Sequence, residues 1–339
     1  MKTLTKKLLV TVLAVCMLCT AALGLVSCNG GAAAITQDEF YTLLKASFDN
    51  FYAANKDYES IGDFTVTAES EMNEENKVEW HYTPDGATEK IEATYDEKSS
   101  YKAKATYNVK RIGEDLFFSL VYTAERDSVY YDSYMASEDA PLTPAYQKQK
   151  HSISLLFGVE NGVYYGRVEE SLAEGEKALG EATVTKEYTT FASKEEYVEA
   201  VLEALGHVDE TCITAPYTPF GGGLEISMIL MSGLAKYSKE DGVAYMHIGM
   251  KLPDFDTEAK DSGMHSTFVN IGVTEKGPVS MESKMEGEYS DSKIHNRMIM
   301  EIDYASALTA ESNALDGYTE NAELDFYSVL RDAYVGFGE

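Results

Sequence analysis

Cysteine is scarce in this chain, with four in 339 residues, at Cys16, Cys19, Cys28 and Cys212. That excludes a disulfide-dense scaffold and the paired Cys-x-x-Cys ligand sets of structural zinc. Basic residues are also few. Twenty-eight Lys and Arg stand against 57 Asp and Glu, a formal charge of -29, and such a surface repels phosphate, which sets nucleic-acid binding aside. Signatures of chemistry are missing as well: there is no Gly-x-Ser-x-Gly elbow, no His-Glu-x-x-His pair and no Lys-Ser/Thr after the glycine triplet Gly221-Gly222-Gly223. The six histidines, His81, His151, His207, His247, His265 and His295, are scattered, with only His247 and His265 on candidate neighbouring strands. No catalytic residue, metal set or cofactor is therefore nominated, and the expectation is a protein that is not an enzyme.

What is present begins at the amino terminus. Lys2, Lys6 and Lys7 precede an apolar stretch from Leu8 to Val26, which closes on Leu25-Val26-Ser27-Cys28. A basic region, a short apolar region and a small residue before the cut are the parts of an export signal. The segment resembles the signal peptide of bacterial lipoproteins, whose lipobox these four residues match position by position. The resemblance implies diacylglyceryl transfer to the Cys28 sulfur and cleavage before Cys28. It also implies attachment to the membrane through that lipid, on the face outside the cytoplasm. Residues 1–27 are then signal and 28–35 a small, flexible, lipidated tether; 36–339 form the body, with a division into two units near 185–220 left open. Losing residues 1–27 removes three lysines and no acid, leaving 57 acids against 25 bases, a charge of -32. Of the cysteines only Cys212 would remain with a free thiol, so the body must hold by its core.

Along the body, Thr36-Gln37-Asp38-Glu39 is a capping box, and Phe40, Leu43, Leu44, Phe48, Phe51 and Tyr52 recur at helical spacing, predicting a helix over about 35–54. After Gly62 the period becomes two. Phe64, Val66 and Ala68 alternate with polar residues, as do Val78, Trp80 and Tyr82, then Ile91, Ala93 and Tyr95, then Tyr101 to Val109, around a turn at Pro84-Asp85-Gly86. Residues 116–122, 129–131 and 163–165 read as further strands, 135–150 as a loop or lid, and 171–182 as a short helix. A second capping box, Ser193-Lys194-Glu195-Glu196, starts a helix through Leu205. Later strands carry Ala244 to Leu252, Thr267 to Val273, Val279 to Met285 and Met298 to Tyr304, with turns at Asp241-Gly242 and Lys276-Gly277; a last helix is predicted over 319–334. Alternation of this kind belongs to antiparallel strands with one wet face. The fold class expected is α+β, a large curved antiparallel sheet or half-barrel with helices packed on or beside its apolar face.

In that order of elements the body resembles the family of the lipoprotein carrier LolA and the LppX-type lipoproteins. The resemblance rests on the helix Phe40–Tyr52, the strands from Phe64 to Val109, the inserted helix Tyr197–Leu205 and the strands from Ala244 to Tyr304. It implies a concave sheet face that holds acyl chains. Independently, methionine is flexible and polarizable enough to meet variable apolar shapes, and it gathers in the second half. Met246, Ile248, Met250, Met281, Met285, Met298 and Met300 are the candidate ligand-binding residues. The functional expectation is a non-enzymatic envelope lipoprotein that binds a lipid or other hydrophobic ligand. Its alternatives are a structural or adhesive surface lipoprotein contacting another envelope protein and, third, a cell-surface hydrolase. The acidic run Asp254, Asp256, Glu258 and Asp261 reads as a solvated loop, because Ala259 and His265 stand where a calcium loop needs glycine and glutamate.

Overall fold

A computed structural model describes residues 33–54, 58–82, 91–132, 145–208, 235–253, 264–288, 292–326 and 328–329. Cys28, the Pro84-Asp85-Gly86 turn, Cys212, the glycine triplet and the acidic run at 254–261 lie outside the described residues.

Among the described residues thirteen strands make one open sheet: β1 (Ala33–Ala34), β2 (Phe64–Tyr82), β3 (Ile91–Ile112), β4 (Asp115–Asp132), β5 (Ala145–Glu160), β6 (Val163–Gly175), β7 (Thr183–Phe191), β8 (Lys236–Glu240), β9 (Val243–Pro253), β10 (Met264–Val273), β11 (Pro278–Glu288), β12 (Ser292–Asp303) and β13 (Thr319–Glu320). The spatial order is β1-β8-β9-β10-β11-β12-β2-β3-β4-β5-β6-β7-β13, antiparallel except for the closing β7–β13 pair. Chain neighbours are sheet neighbours within each half, and the described links β3–β4, β5–β6 and β8–β9 are turns of two residues. Asn161-Gly162 and Asp241-Gly242 both take positive φ at both positions, the geometry whose twist matches an antiparallel hairpin. The two halves meet where β12 pairs with β2, Met300 opposite Ala68.

Two helices accompany the sheet among the described residues: α1 (Gln37–Ala54) and α2 (Lys194–Val208). The Thr36 hydroxyl accepts from the Glu39 amide at 3.2 Å and the Glu39 carboxylate accepts from the Thr36 amide at 2.7 Å, so the first capping box forms as read. At the second, the Ser193 hydroxyl accepts from the Glu196 amide, while the Glu196 carboxylate reaches one residue further back, to the Ala192 amide. Helix α1 packs on β8 to β11, and Phe51 reaches Phe64 and Tyr304 with ring centroids 6.2 and 6.3 Å away. Helix α2 packs on β6 and β7 through Tyr197, whose hydroxyl donates to the Leu116 carbonyl at 2.5 Å. That contact lies in the interior, and burial drives the Tyr197 hydroxyl far above the ordinary tyrosine range.

The strands are longer than their apolar patterns suggest. The polar stretch Ser70–Lys77 joins two alternating runs into one strand of 19 residues, because it pairs on both sides. On its wet face Glu69 meets Lys104 at 2.7 Å, Glu71 meets Lys102 at 3.2 Å and Glu75 meets Lys98 at 3.5 Å, one cross-strand pair after another. Three other readings are corrected. Residues 145–150 belong to β5, not to a loop, and 171–175 continue β6 instead of opening a helix, with Leu172 opposite His151. The predicted last helix begins instead with the two-residue strand β13 and, among the described residues, shows one helical turn around 326–329. Local propensity yielded in each case to pairing with a neighbouring strand.

Candidate ligand-binding face

Pairing register decides which side chains share a face. One row crosses the sheet as Tyr237, Met246, Ile271, Met281, Met300, Ala68, Ala105, Tyr122 and Ile153. The next row carries Ile248, Val269, Ser283, Met298, Ser70, Ala103, Ala124 and His151. A third carries Met250, Thr267, Met285, Asn296, Met72 and Tyr101. All seven candidate residues therefore stand on one face of β9, β11 and β12.

Their surroundings differ along that face. Met246, Ile248, Met281 and Met300 are buried in the main core, Met298 is partly buried, and Met285 is 37% exposed. Met72, on β2, is 36% exposed in the same row as Met285, two strands away. Tyr101 lies beside Met72, partly buried, its hydroxyl 3.3 Å from that of Tyr122. The core thus grades outward into a more accessible row from β11 to β3, in which Asn296 of β12 stands between Met285 and Met72. At the covered end of the face, Phe40 of α1 meets Tyr237 at 5.3 Å, and burial pushes the Tyr237 hydroxyl up to about 12.

Polar side chains interrupt the face: Ser70, Ser283, Thr267 and Asn296 stand in the rows above, and His151 and the Tyr101–Tyr122 pair bring hydrogen-bonding groups among the apolar residues. His151 is buried and its Nε2 lies 2.8 Å from the Glu170 carboxylate, with the Tyr122 ring edge-on at 6.4 Å. Tyr101 and Tyr122 share the hydroxyl contact just described. His247 and His265 do sit on paired strands, but His247 is opposite Asn270 and His265 opposite Leu252, so register puts them on opposite faces. His247 accepts or donates at Ser238 Oγ, 2.9 Å away, and burial lowers its basicity, keeping it neutral at pH 7. Among the described residues no three His, Cys, Asp or Glu side chains converge as a metal would require. A groove of about 1070 Å³ lies apart from the methionines, between α2 and the β3–β4 turn, where Val198 and Leu202 face Tyr58 and Arg111. Its cations are committed: Arg111 to the Tyr58 and Ile61 carbonyls, Lys194 to Asp115 at 2.7 Å.

Met72 is absent from the residues nominated by sequence because it sits in a glutamate- and asparagine-rich stretch assigned to neither of the flanking alternating runs. The signal that finds it is its even spacing from Phe64, Val66 and Ala68, continued through Ser70.

No protein-family model matches the chain, and no curated protein is similar to it in sequence. Among solved structures, the chain is weakly similar to the translocator domain of autotransporter NalP from Neisseria meningitidis, at 8% identity and a TM-score of 0.19, over 78% of this chain and 96% of that one. No described helix is long and apolar enough to cross a membrane.

Proposed function

We propose that the chain is an exported lipoprotein, anchored through Cys28, whose sheet binds a lipid or other hydrophobic molecule on its apolar face without catalysing a reaction. The observation that carries this reading is the accessible pair Met285 and Met72, in one register row with Tyr101, adjoining buried Met281 and Met300. Accessible apolar side chains in continuity with a core are where burial of further hydrocarbon gains most, at about 25 cal/mol per Å². Methionine there accommodates chains of differing shape. The form we assign to the bound state is a sheet curved around its apolar side, in the manner of the LolA and LppX-type carriers.

A second reading, a structural or adhesive surface lipoprotein, draws support from the complete burial of Met246 and near-complete burial of Met281, which leave that end of the face filled. The two separate on substitution. Met285→Glu and Met72→Glu place a charge on that row while leaving the buried core intact. In the carrier reading the double variant loses uptake of a fluorescent long-chain fatty acid by roughly tenfold or more, since an unpaired carboxylate in a hydrocarbon contact is strongly disfavoured. Unchanged uptake, or none in either protein, contradicts it.

A further inference from the structure

Strand β1 is only two exposed alanines long, but its place in the sheet is specific. Ala33 lies opposite Lys239 and Ala34 opposite Ser238, and the next amide, that of Ile35, donates to the Tyr237 carbonyl at 3.3 Å. Thr36 then caps α1, which packs on β8 to β11. From Ala33 onward the chain is therefore joined to the outer edge of β8. It enters at the end of β8 that leads into the Asp241-Gly242 turn, since Lys239 is the residue before the strand's last, Glu240.

Register carries that end of the sheet onward. Lys239 is opposite Ala244, Ala244 opposite Val273 and Val273 opposite Pro278, which places the turn Thr274–Gly277 at the same end. The turn is closed by the Thr274 amide donating to the Gly277 carbonyl at 3.0 Å, and Asn50 of α1 braces it by donating to the Glu275 carbonyl at 2.6 Å. The result is a corner of the sheet, built from β8 and two turns and held by α1. Its charges are Lys236, Lys239 and Lys276 against Glu240, Asp241 and Glu275, with Glu39 of α1 near Lys239. The corner is close to neutral in a chain whose formal charge is -29.

Cys28 stands five residues before Ala33, and five residues span at most about 18 Å when fully extended. We infer that this corner is the surface the protein lays against the bilayer, its partner being the lipid headgroups around the acylated Cys28. This rests on the reading of Cys28 as the lipid anchor. The short tether holds the corner at the membrane, and the excess of acid elsewhere is repelled by anionic headgroups, which turns the rest of the body outward. The sheet is long enough for this to matter: β2 starts at the same end, where Thr65 pairs with Asp303, and its 19 residues extend about 60 Å to Tyr82.

The test uses the lipidated full chain, purified from producing cells and placed in vesicles of phosphatidylcholine and phosphatidylglycerol that carry a cobalt-chelating lipid as a short-range quencher. A dye is attached through Lys236→Cys or Glu240→Cys at the corner, or through Lys98→Cys, opposite Glu75 and far along β3, each in a Cys212→Ser background, with Cys212→Ala in reserve should the serine variant fail to fold. The dye at 236 or 240 should be quenched several-fold more than the dye at 98. Inserting about ten Gly and Ser residues between Gly31 and Ala32, which adds about 18 Å of root-mean-square reach, should remove much of that difference. Equal quenching at the corner and at 98, in protein that floats with the vesicles, overturns the orientation and leaves the anchor standing. If the chain does not float with vesicles and Cys28→Ala behaves as the parent does, the anchor and the orientation both fall.

Discussion

At the scale of single residues, burial separates side chains that sequence treats alike. Met281 and Met285 share a strand and a face, yet only Met281 is enclosed. Met281→Ala should destabilise the protein by about 3 kcal/mol, by lost transfer energy and a residual cavity, whereas Met285→Ala should change stability by less than about 0.5 kcal/mol; urea melts of the two variants check both. Tyr197→Phe removes the donor to the Leu116 carbonyl and should cost about 1–2 kcal/mol in the same assay. His247 supplies a sign test. Burial holds its folded-state basicity below the ordinary value, so its stabilising contribution is present above about pH 6.5 and is lost as the pH falls, when the unfolded chain takes the proton first. His247→Gln should therefore show a smaller decline in melting temperature between pH 7 and pH 5 than the parent.

At the scale of elements, the sequence was most legible where local chemistry and tertiary demand coincide. Both helices start at the capping boxes that announce them, and alternation identified the strands on either side of the β12–β2 seam. Thr36→Ala should weaken the α1 start by about 1 kcal/mol, measurable as a lower midpoint of unfolding. Legibility failed where a partner supplies the order. Ser70–Lys77 is a strand because β3 and β12 pair with it, and its glutamates find lysines that lie about thirty residues away in the chain. Residues 171–175 have a helix-tolerant composition but continue the β6 ladder. The segment from Ser306 to Phe326 carries little periodicity, and its path depends on contacts with Lys110, Glu160, Arg167 and β7 that no short window contains. For the candidate site, the methionines of β9, β11 and β12 were nominated on alternating strands, while Met72 keeps the even spacing of Phe64, Val66 and Ala68 but joins their row only through register across the sheet.

At the scale of the whole molecule, charge and hydrocarbon act against each other. A formal charge of -29 keeps the wet face hydrated but repels itself, so added salt at pH 7 should raise the melting temperature. Acid has two opposing effects. Protonation relieves that repulsion, but the Thr36 amide on Glu39, Asn73 and Lys102 around Glu71, and Lys284 beside Glu286 all hold carboxylates below their usual range. These carboxylates lie at the surface, where solvent screens them, so their stabilisation is small; it is complete above about pH 4.5 and is lost as the pH falls through their folded-state values, and thermal stability should decline only modestly below about pH 4. The hydrophobic side of the balance is the central claim: an apolar face of which part is core and part remains open to a guest. Native mass spectrometry of the chain purified from producing cells, followed by solvent extraction, tests it most directly. The account predicts an added mass that leaves only on denaturation and is identified as an acyl lipid or another apolar molecule, and that is absent from Met72→Glu/Met285→Glu. A mass equal to the covalent chain alone, unchanged after lipid is offered, would contradict it.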